Sequence, residues 1–248
     1  MLNPKNQGAE AQSEKAQEAS IQEIRDAFDR SQQLKALSDE HRHELSQVAR
    51  WRKFSEGEQL VAQDEVLQSF FLLVSGRVKM ARAMPNGRKV LLTLFGPGQL
   101  FCTVDALGGE PCQNAIIALT DGVCLSIDRQ DLFACMEKHN DLAVRLLVAL
   151  VPHFSECKHC IVEMASMRVE ARLARLLTRL GASVGQERPE GLFIPVVLHR
   201  QDLADMTGTT IETCIRVMSR WRKESFVETL DTGFLVADLE RLYALSDA

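Results

Sequence analysis

The sequence lacks the features that would direct a chain to a membrane or out of the cell. Residues 1–20 contain no apolar core of the kind that a secretory signal needs. The longest apolar stretch, Leu142–Val151, is interrupted by Arg145, and a membrane span needs about 20 apolar residues. A net positive charge is also missing, since the 248 residues carry a net charge of −5. We therefore expect a cytoplasmic protein with no membrane partner, which does not coat nucleic acid through its overall charge.

The seven cysteines are odd in number and belong to a chain that is large enough to fold without disulfide bonds. Such thiols are expected to be free or metal-bound in a reducing compartment. With 46% apolar and 25% charged residues, the composition is that of a soluble globular protein. The length allows about two ordinary domains.

Short apolar runs separated by Gly and Pro turns fill the stretch from Trp51 to Asp128. This pattern predicts an antiparallel β-roll or jelly-roll, and Asn86-Gly87 between two of the runs predicts a hairpin. Ser38 is expected to begin a helix before the β-roll because Ser is a favoured N-cap residue. Helices are predicted again from Arg129 to about residue 182.

A heptad-like seam within Leu142–Met167 predicts a helix that pairs with a partner helix across a dimer axis. Pro152 lies inside the seam, so a kink or a local break is expected there. The seam could instead lie on the protein's own β-roll, and the sequence alone leaves this alternative open. The residues of the seam are Leu146, Leu150, His153, Cys157, Cys160, Met164 and Met167.

Residues 200–223 have the spacing of a helix-turn-helix. Ala204 is small where the two helices would cross, Gly208 suits a turn with positive φ, and Cys214 is apolar in the second helix. Thr209 is expected to cap that helix. The run FVETLDTGFLV after it predicts a hairpin, which would form a wing.

The polar side chains of this motif are the candidates for DNA contact. Arg can donate two hydrogen bonds to guanine and Glu can accept from cytosine, while hydroxyl and basic groups suit phosphate oxygens. Residues 168–226 carry 10 Lys and Arg against 7 Asp and Glu, so the positive excess lies around the motif. An amphipathic helix with arginines is also typical of a solvated surface, and Thr209 with Glu212 also forms a capping-box pattern. The candidates are Arg200, Thr209, Thr210, Glu212, Thr213, Arg216, Ser219, Arg220 and Lys223.

The chain from about residue 31 to 245 resembles the CRP/FNR family, which includes the cyclic-AMP receptor protein and the fumarate–nitrate reduction regulator. The run TIETCIR is similar to the DNA-reading helix of the FNR branch. The resemblance implies that Glu212 and Arg216 read bases, although Ile215 stands where the FNR pattern has Ser. It implies an α+β fold with an N-terminal double-stranded β-helix sensor, a long dimerisation helix and a C-terminal winged helix-turn-helix.

The implied domains are a flexible tail with the start of a helix (1–30), a cyclic-nucleotide-binding-like β-roll sensor (31–138), the dimerisation helix (139–167) and the DNA-binding domain (168–245). The implied function is that of an effector-gated transcription regulator, a homodimer on a near-palindromic site in double-stranded DNA. A signal at the sensor would re-orient a hinge near Ser166–Val169. RNA polymerase is an expected partner if the protein is an activator, and no enzymatic activity is expected.

The effector is not expected to be cyclic AMP. Cyclic-nucleotide members of the family hold the ribose with a Gly-Glu pair and the phosphate with an Arg, but Thr103 stands at the Glu position and Gln113 at the Arg position. Without that Arg a phosphate loses its charge-assisted partner. An FNR-type iron–sulfur cluster is not supported because residues 1–101 contain no Cys. Family members that sense carbon monoxide pair Phe-Cys, as in Phe101-Cys102, with a nearby His, and Val104 replaces that His.

Four thiols could nevertheless meet at the position of the family's nucleotide pocket. Thr103 and Gln113, which stand at the two nucleotide-contact positions, would lie there too. Four thiolates suit zinc or an iron–sulfur cluster, a pair of thiols suits a redox switch, and His153 or His159 could assist or bind haem. Buried cysteines also simply fill space, which is the interpretation for Cys124 and Cys135. The candidate effector-pocket residues are Cys102, Thr103, Cys112, Gln113, Cys157 and Cys160, and the four cysteines among them are the candidate metal ligands.

Two other classes of function stay open on the sequence. The chain could be a sensor that binds a small molecule or metal, with DNA binding secondary. It could also be a jelly-roll enzyme, which would line its barrel with His and carboxylate ligands. The enzyme is disfavoured because every His lies outside Trp51–Asp128, namely His41, His43, His139, His153, His159 and His199.

Overall fold

A computed structural model of the chain describes residues 20–31, 33–35, 37–85, 87 and 89–247. The tail predicted over the first residues and Asn86 of the predicted hairpin signal lie outside this described part. The described chain divides into two compact units. One consists of the residues up to Met80 together with Leu94–Pro152, and the other of Ala81–Thr93 together with the residues from His153 onward.

The elements up to residue 138 are mostly short strands, with helices before and after them. They are α1 (20–30), α2 (Asp39–Val48), β1 (Arg50–Phe54), β2 (Gln59–Val61), β3 (Glu65–Val66), β4 (Ser69–Ser75), β5 (Val78–Ala83), β6 (Lys89–Phe95), β7 (Leu100–Phe101), α3 (Thr103–Gly108), β8 (Pro111–Cys112), β9 (Ala115–Ala118), β10 (Gly122–Asp128) and α4 (Arg129–Lys138).

The strands form a β-roll, as the turn-rich pattern predicts. One sheet has the order β1-β10-β4-β7, a second has the order β2-β9-β5-β6, and β3 pairs with β8 in a small ribbon. Strand β4 is buried continuously from Phe70 to Leu73, the pattern of a strand covered on both faces. The predicted N-cap of α2 is confirmed, because the Ser38 hydroxyl accepts a hydrogen bond from the His41 backbone N–H.

The long helix α5 runs over Asn140–Ser166 and continues through Pro152, so the predicted break does not occur. Leu142 and Leu146 belong to the core of the first unit, and Leu150 lines an apolar pocket there with Leu146. The prediction that Leu146 and Leu150 face a partner helix is therefore wrong. These two leucines pack on the protein's own β-roll, which is the alternative that the sequence leaves open. A different face of α5 carries exposed apolar side chains: Val144, Leu147, Val148, Val151, Phe154, Ile161 and Val162.

The elements after α5 alternate helices with paired strands. They are α6 (Val169–Val184), β11 (Gln186–Arg188), β12 (Gly191–Ile194), α7 (Arg200–Met206), α8 (Ile211–Lys223), β13 (Val227–Leu230), β14 (Gly233–Val236) and α9 (Leu239–Ser246). The strands form one sheet of order β11-β12-β14-β13. The predicted wing is the antiparallel pair of β13 and β14. The three residues of strand β11 are all exposed and show no apolar alternation, so the sequence pattern does not indicate this strand.

The core of the second unit is built on the inner faces of α6, α7 and α8. Trp221 is fully buried and contacts Phe226 edge-on, with ring centroids 5.1 Å apart. Leu203 and Ala204 of α7 are fully buried too, so the predicted small residue does lie at the packed face of this helix. A search of the described helices for a segment long and apolar enough to cross a membrane found none.

Candidate nucleic-acid interface

The helices α7 and α8 are joined by a four-residue turn, 207–210. Gly208 has φ +61, which confirms the prediction of a positive-φ residue there. The turn is closed by backbone hydrogen bonds from Thr207 N to Leu203 O at 3.2 Å and from Thr209 N to Ala204 O at 2.9 Å. The two helices are therefore fixed relative to each other by the backbone itself.

Thr210, and not Thr209, caps α8. The Thr210 hydroxyl accepts a hydrogen bond from the Thr213 backbone N–H at 3.3 Å. The prediction that Thr209 caps the helix is wrong because the turn uses one more residue than expected, so that Thr209 donates its N–H back to α7. The capping-box interpretation of Thr209 with Glu212 consequently does not apply.

The helix α8 has sharply separated apolar and polar faces. Its buried residues are Cys214, Val217, Met218 and Trp221. In a helix of 3.6 residues per turn, positions four, seven and eleven after Glu212 return to the same side. These positions hold Arg216, Ser219 and Lys223, and all four side chains are exposed. Four predicted DNA-contacting residues thus form one row on the side of α8 opposite its buried face.

Glu212 lies at the first turn of α8 and is charged at neutral pH. Its own backbone N–H, together with the Thr210 hydroxyl, holds the pKa of the Glu212 carboxyl below its ordinary value. Carboxylates near a helix N-terminus are also favoured by the helix dipole. An exposed carboxylate in this row can accept a hydrogen bond from a cytosine amino group.

Two of the predicted DNA-contacting arginines already have partners within the second unit. Arg220 forms an ion pair with Glu170 of α6, at 2.5 Å between Nη2 and Oε1. Glu170 also accepts a hydrogen bond from Trp221 Nε1 at 2.8 Å. Arg200 donates from Nη2 to the Thr229 hydroxyl of the wing at 2.7 Å. These arginines therefore hold α8 and the wing in place, in addition to any contact that they make with DNA.

Arg172 of α6 has a structural role that no sequence pattern indicates. Its guanidinium donates to the carbonyl oxygens of Thr207 at 2.8 Å and Gly208 at 3.3 Å, both in the turn before α8. It also donates to the carbonyl oxygens of Met167 at 2.9 Å and Met164 at 3.2 Å. One side chain thereby joins the end of α5 to the helix-turn-helix. Its partners are backbone atoms, so no side-chain pattern could have indicated them.

A second polar cluster joins α5 to α6. Glu163 is only 6% exposed, and it accepts hydrogen bonds from Arg175 at 3.0 Å and from Arg179 at 3.1 Å. Arg179 also donates to the Cys160 thiol at 3.8 Å. A buried carboxylate held by two guanidinium groups fixes the register of the two helices.

Most of the predicted effector residues of the first unit are buried. Cys102 and Cys112 are both buried, and the Cys112 thiol donates a hydrogen bond to the Asn114 carbonyl oxygen at 3.2 Å. Thr103, which follows Cys102 in the sequence, is also buried, and its hydroxyl has no hydrogen-bond partner among the described residues. It lines the apolar pocket that includes Leu146 and Leu150, whose free volume is about 10 Å³. Gln113, in contrast, is exposed.

The remaining predicted effector residues lie on α5, where Cys157 is exposed and Cys160 is half-buried. Among the described residues, no three His, Cys, Asp or Glu side chains form a group that could hold a metal ion. The prediction of zinc or an iron–sulfur cluster at a four-cysteine site therefore gains no support, and haem bound by His153 or His159 stays a prediction. The side chain of His153 lies outside the described part of the structure.

Two family models match the chain, one on the β-roll and one on the DNA-binding region. The cyclic nucleotide-binding domain matches residues 51–139, and the Crp-like helix-turn-helix domain matches residues 171–245. Together with the described elements, these matches confirm the predicted fold class.

Relatives with named functions are similar over most of the chain. The CRP-like cAMP-activated global transcriptional regulator of Mycobacterium tuberculosis is 23% identical over 76% of this chain and 84% of its own length. The nitrogen fixation regulation protein FixK of Bradyrhizobium diazoefficiens is 24% identical over 83% of this chain and 85% of its own length.

A solved structure supports the fold independently. A CRP-family transcriptional regulator from Thermus thermophilus superimposes with a TM-score of 0.67 at 21% identity, over 79% of this chain and 97% of the other. The two matched domains occur here in the order that the resemblance implies. The chain thus belongs to the CRP/FNR family of transcription regulators.

Proposed function

We propose that this protein is a homodimeric regulator that binds a near-palindromic DNA site through α8 and responds to an effector other than cyclic AMP. The observation that carries the proposal is the row of Glu212, Arg216, Ser219 and Lys223 on the exposed side of α8. The major groove is wide enough to admit an α-helix. The row offers a guanine-binding donor, a cytosine-binding acceptor and groups that suit phosphate.

The exposed apolar face of α5 supports the homodimer. Leu147, Val148 and Ile161 on this face are 66%, 64% and 67% exposed in the single chain. A contiguous apolar patch of this kind marks an interaction surface. Its spacing suits the pairing of two like helices, and a second copy of the chain would place two DNA-reading helices about one turn of DNA apart.

The pocket at Thr103 supports an effector other than cyclic AMP. Its free volume is about 10 Å³, which is room for about one water molecule, whereas small-molecule pockets usually have about 300 Å³ or more. The surface that faces the space is entirely apolar, and the lining residues are Phe70, Leu100, Thr103, Leu107, Leu132, Leu146 and Leu150. A nucleotide phosphate would find no cationic partner among these lining residues.

DNA binding is tested by selecting duplexes from a random pool with the purified full-length chain and measuring affinities by fluorescence anisotropy. We expect a near-palindromic site, and Arg216→Ala should weaken binding to it by about 10-fold to 100-fold, the loss of one bidentate base contact. Arg222→Ala is the matched control, since Arg222 is an exposed arginine of α8 outside the row. Enrichment of no site, or equal losses in both variants, would contradict the proposal.

The dimer and the effector have separate tests. Leu147→Glu should yield monomers in sedimentation equilibrium, whereas Val66→Glu, which alters an exposed apolar residue of β3, should leave the dimer intact. Cyclic AMP should give no heat in calorimetric titration and no change in DNA affinity. A dimer that survives Leu147→Glu, or saturable binding of cyclic AMP, would refute the corresponding part of the proposal.

A further inference from the structure

An apolar side chain lies among the polar ones on the exposed side of α8. Ile215 is 44% exposed, whereas the apolar residues on the inner side of the helix are buried. Ile211, at the start of the helix, is half-buried. A single apolar residue on a protein surface is common, so the position of Ile215 on the helix carries more information than its exposure.

Ile215 lies on the same side of α8 as the row of Glu212, Arg216, Ser219 and Lys223. It comes three residues after Glu212 and four residues before Ser219. Residues with these spacings are neighbours on a helix surface, with about 5–6 Å between their Cβ atoms. If α8 enters the major groove with this row, Ile215 therefore enters the groove with it.

The major groove offers an isoleucine few suitable contacts. Guanine, cytosine and adenine present hydrogen-bond donors and acceptors there, and thymine presents an acceptor next to its C5-methyl group. An apolar side chain that covers a donor or an acceptor takes it from water without replacing the lost hydrogen bond, which is unfavourable. The thymine methyl group is the apolar feature of the groove, and burying it against another apolar group is favourable.

We propose that Ile215 determines specificity by packing on the C5-methyl group of a thymine in each half-site of the DNA, a contact that rests on the proposed function. The β-branched side chain of isoleucine has few rotamers in a helix, so little entropy is lost when a base fixes it. Ile215 follows Glu212 by about 4.5 Å along the helix axis, against about 3.4 Å between successive bases of one strand. The thymine should therefore lie within about two base pairs of the pair that Glu212 contacts.

Ile215 can be shortened without removing the contacts that hold α8 in place. The helix is fixed by its buried inner face, by the Thr210 cap at its start and by the ion pair of Arg220 with Glu170. Because none of these contacts involves Ile215, variants at this position are expected to fold.

The thymine contact is tested by comparing thymine with uracil, because deoxyuridine pairs with adenine as thymidine does and lacks only the C5-methyl group. The site selected by the full-length protein is synthesised with uracil in place of one thymine at a time, at the same position in both half-sites. Affinities are measured by fluorescence anisotropy. For the wild-type protein we expect a position where uracil weakens binding by about 15-fold, which is about fourfold for each half-site, the effect of leaving one methyl group unburied.

Variants assign this preference to Ile215. Ile215→Ala removes the methyl groups that would reach the thymine, and it should bind the thymine and uracil duplexes equally at that position. Ile215→Val keeps a β-branched side chain and should retain most of the preference. Val66→Ala, which shortens an exposed apolar residue of β3, is the control and should keep the wild-type preference in full.

Three results would overturn the proposed thymine contact. One is a selected half-site that contains no thymine, and another is equal affinity of the wild-type protein for thymine and uracil at every position. The third is an Ile215→Ala variant that keeps the wild-type preference, since another residue would then contact the methyl group. In each case the proposed function stands if Arg216→Ala still weakens binding, whereas selection of no DNA site contradicts the proposed function and the thymine contact together.

Discussion

Arg172 Nε donates a hydrogen bond to the carbonyl oxygen of Thr207 at 2.8 Å. Through this bond, and the others that its guanidinium donates to Met164, Met167 and Gly208, a side chain of α6 contacts both the end of α5 and the turn before α8. The effector response proposed for this protein requires a signal to pass from the sensor to α8. Because Arg172 binds carbonyl oxygens at both places, it couples the orientation of the turn before α8 to the conformation of the end of α5.

Replacing Arg172 with Lys should weaken the second unit although the charge is kept. A lysine ammonium is a compact group that cannot reach carbonyl oxygens on both sides as a planar guanidinium does. We expect a loss of about 1–3 kcal/mol in the free energy of unfolding, measured by urea denaturation, because the carbonyl of the buried Thr207 loses its charged donor. Arg168→Lys, at the exposed N-cap of α6, is the control. An unchanged midpoint for Arg172→Lys would show that these bonds contribute nothing.

Glu163→Gln should destabilise the junction of α5 and α6. The carboxylate is buried between Arg175 and Arg179, whose side chains are 35% and 34% exposed. Removing the negative charge leaves two guanidinium groups without their counterion, and we expect a cost of about 1–3 kcal/mol after allowing for their partial exposure to solvent. Glu187→Gln in the exposed strand β11 should cost nothing measurable. Equal stabilities of the two variants in thermal unfolding would contradict this account.

Glu170 should make the stability of the second unit depend on acid pH. Burial acts to raise its pKa, but the hydrogen bonds from Trp221 and Arg220 outweigh that effect, so the folded pKa lies below the ordinary value. Its contribution is therefore complete above the unfolded pKa of about 4.3 and is lost as the pH falls through the folded pKa. Glu170→Gln should flatten this part of the stability profile. A profile of the same slope in the variant would assign the acid sensitivity to other carboxylates.

Cys102 should be one of the rare positions where glycine stabilises more than alanine. Both Cys102→Gly and Cys102→Ala remove the thiol, but only alanine keeps the Cβ that disfavours φ +59. We expect the glycine variant to be more stable by about 1 kcal/mol in chemical denaturation of the reduced protein. The reverse order would mean that the backbone at this position changes once the thiol is gone.

The features that the sequence predicts well depend on local chemistry. Ser38 begins α2 because a hydroxyl caps a helix whatever surrounds it, and Gly208 takes its positive φ because the turn requires it. The error at the start of α8 is also instructive. Thr209 and Thr210 offer the same hydroxyl, and only the length of the turn decides which one becomes the N-cap.

What the sequence did not predict depends on packing between distant segments. The helix α5 has two apolar faces, and spacing alone could not decide whether Leu146 or Leu147 lies against the β-roll. Arg172 gave no signal because it binds backbone oxygens.

The two apolar faces of α5 have a consequence for how the protein folds. One face, with Leu142 and Leu146, is buried in the core of the chain itself. The other face, with Leu147 and Val148, is exposed to water. If a second copy covers the open face, as proposed, part of the stabilising free energy comes from association and not from the fold of one chain. The melting temperature should then rise with protein concentration, and newly made chains at low abundance would be the form most exposed to proteolysis and aggregation.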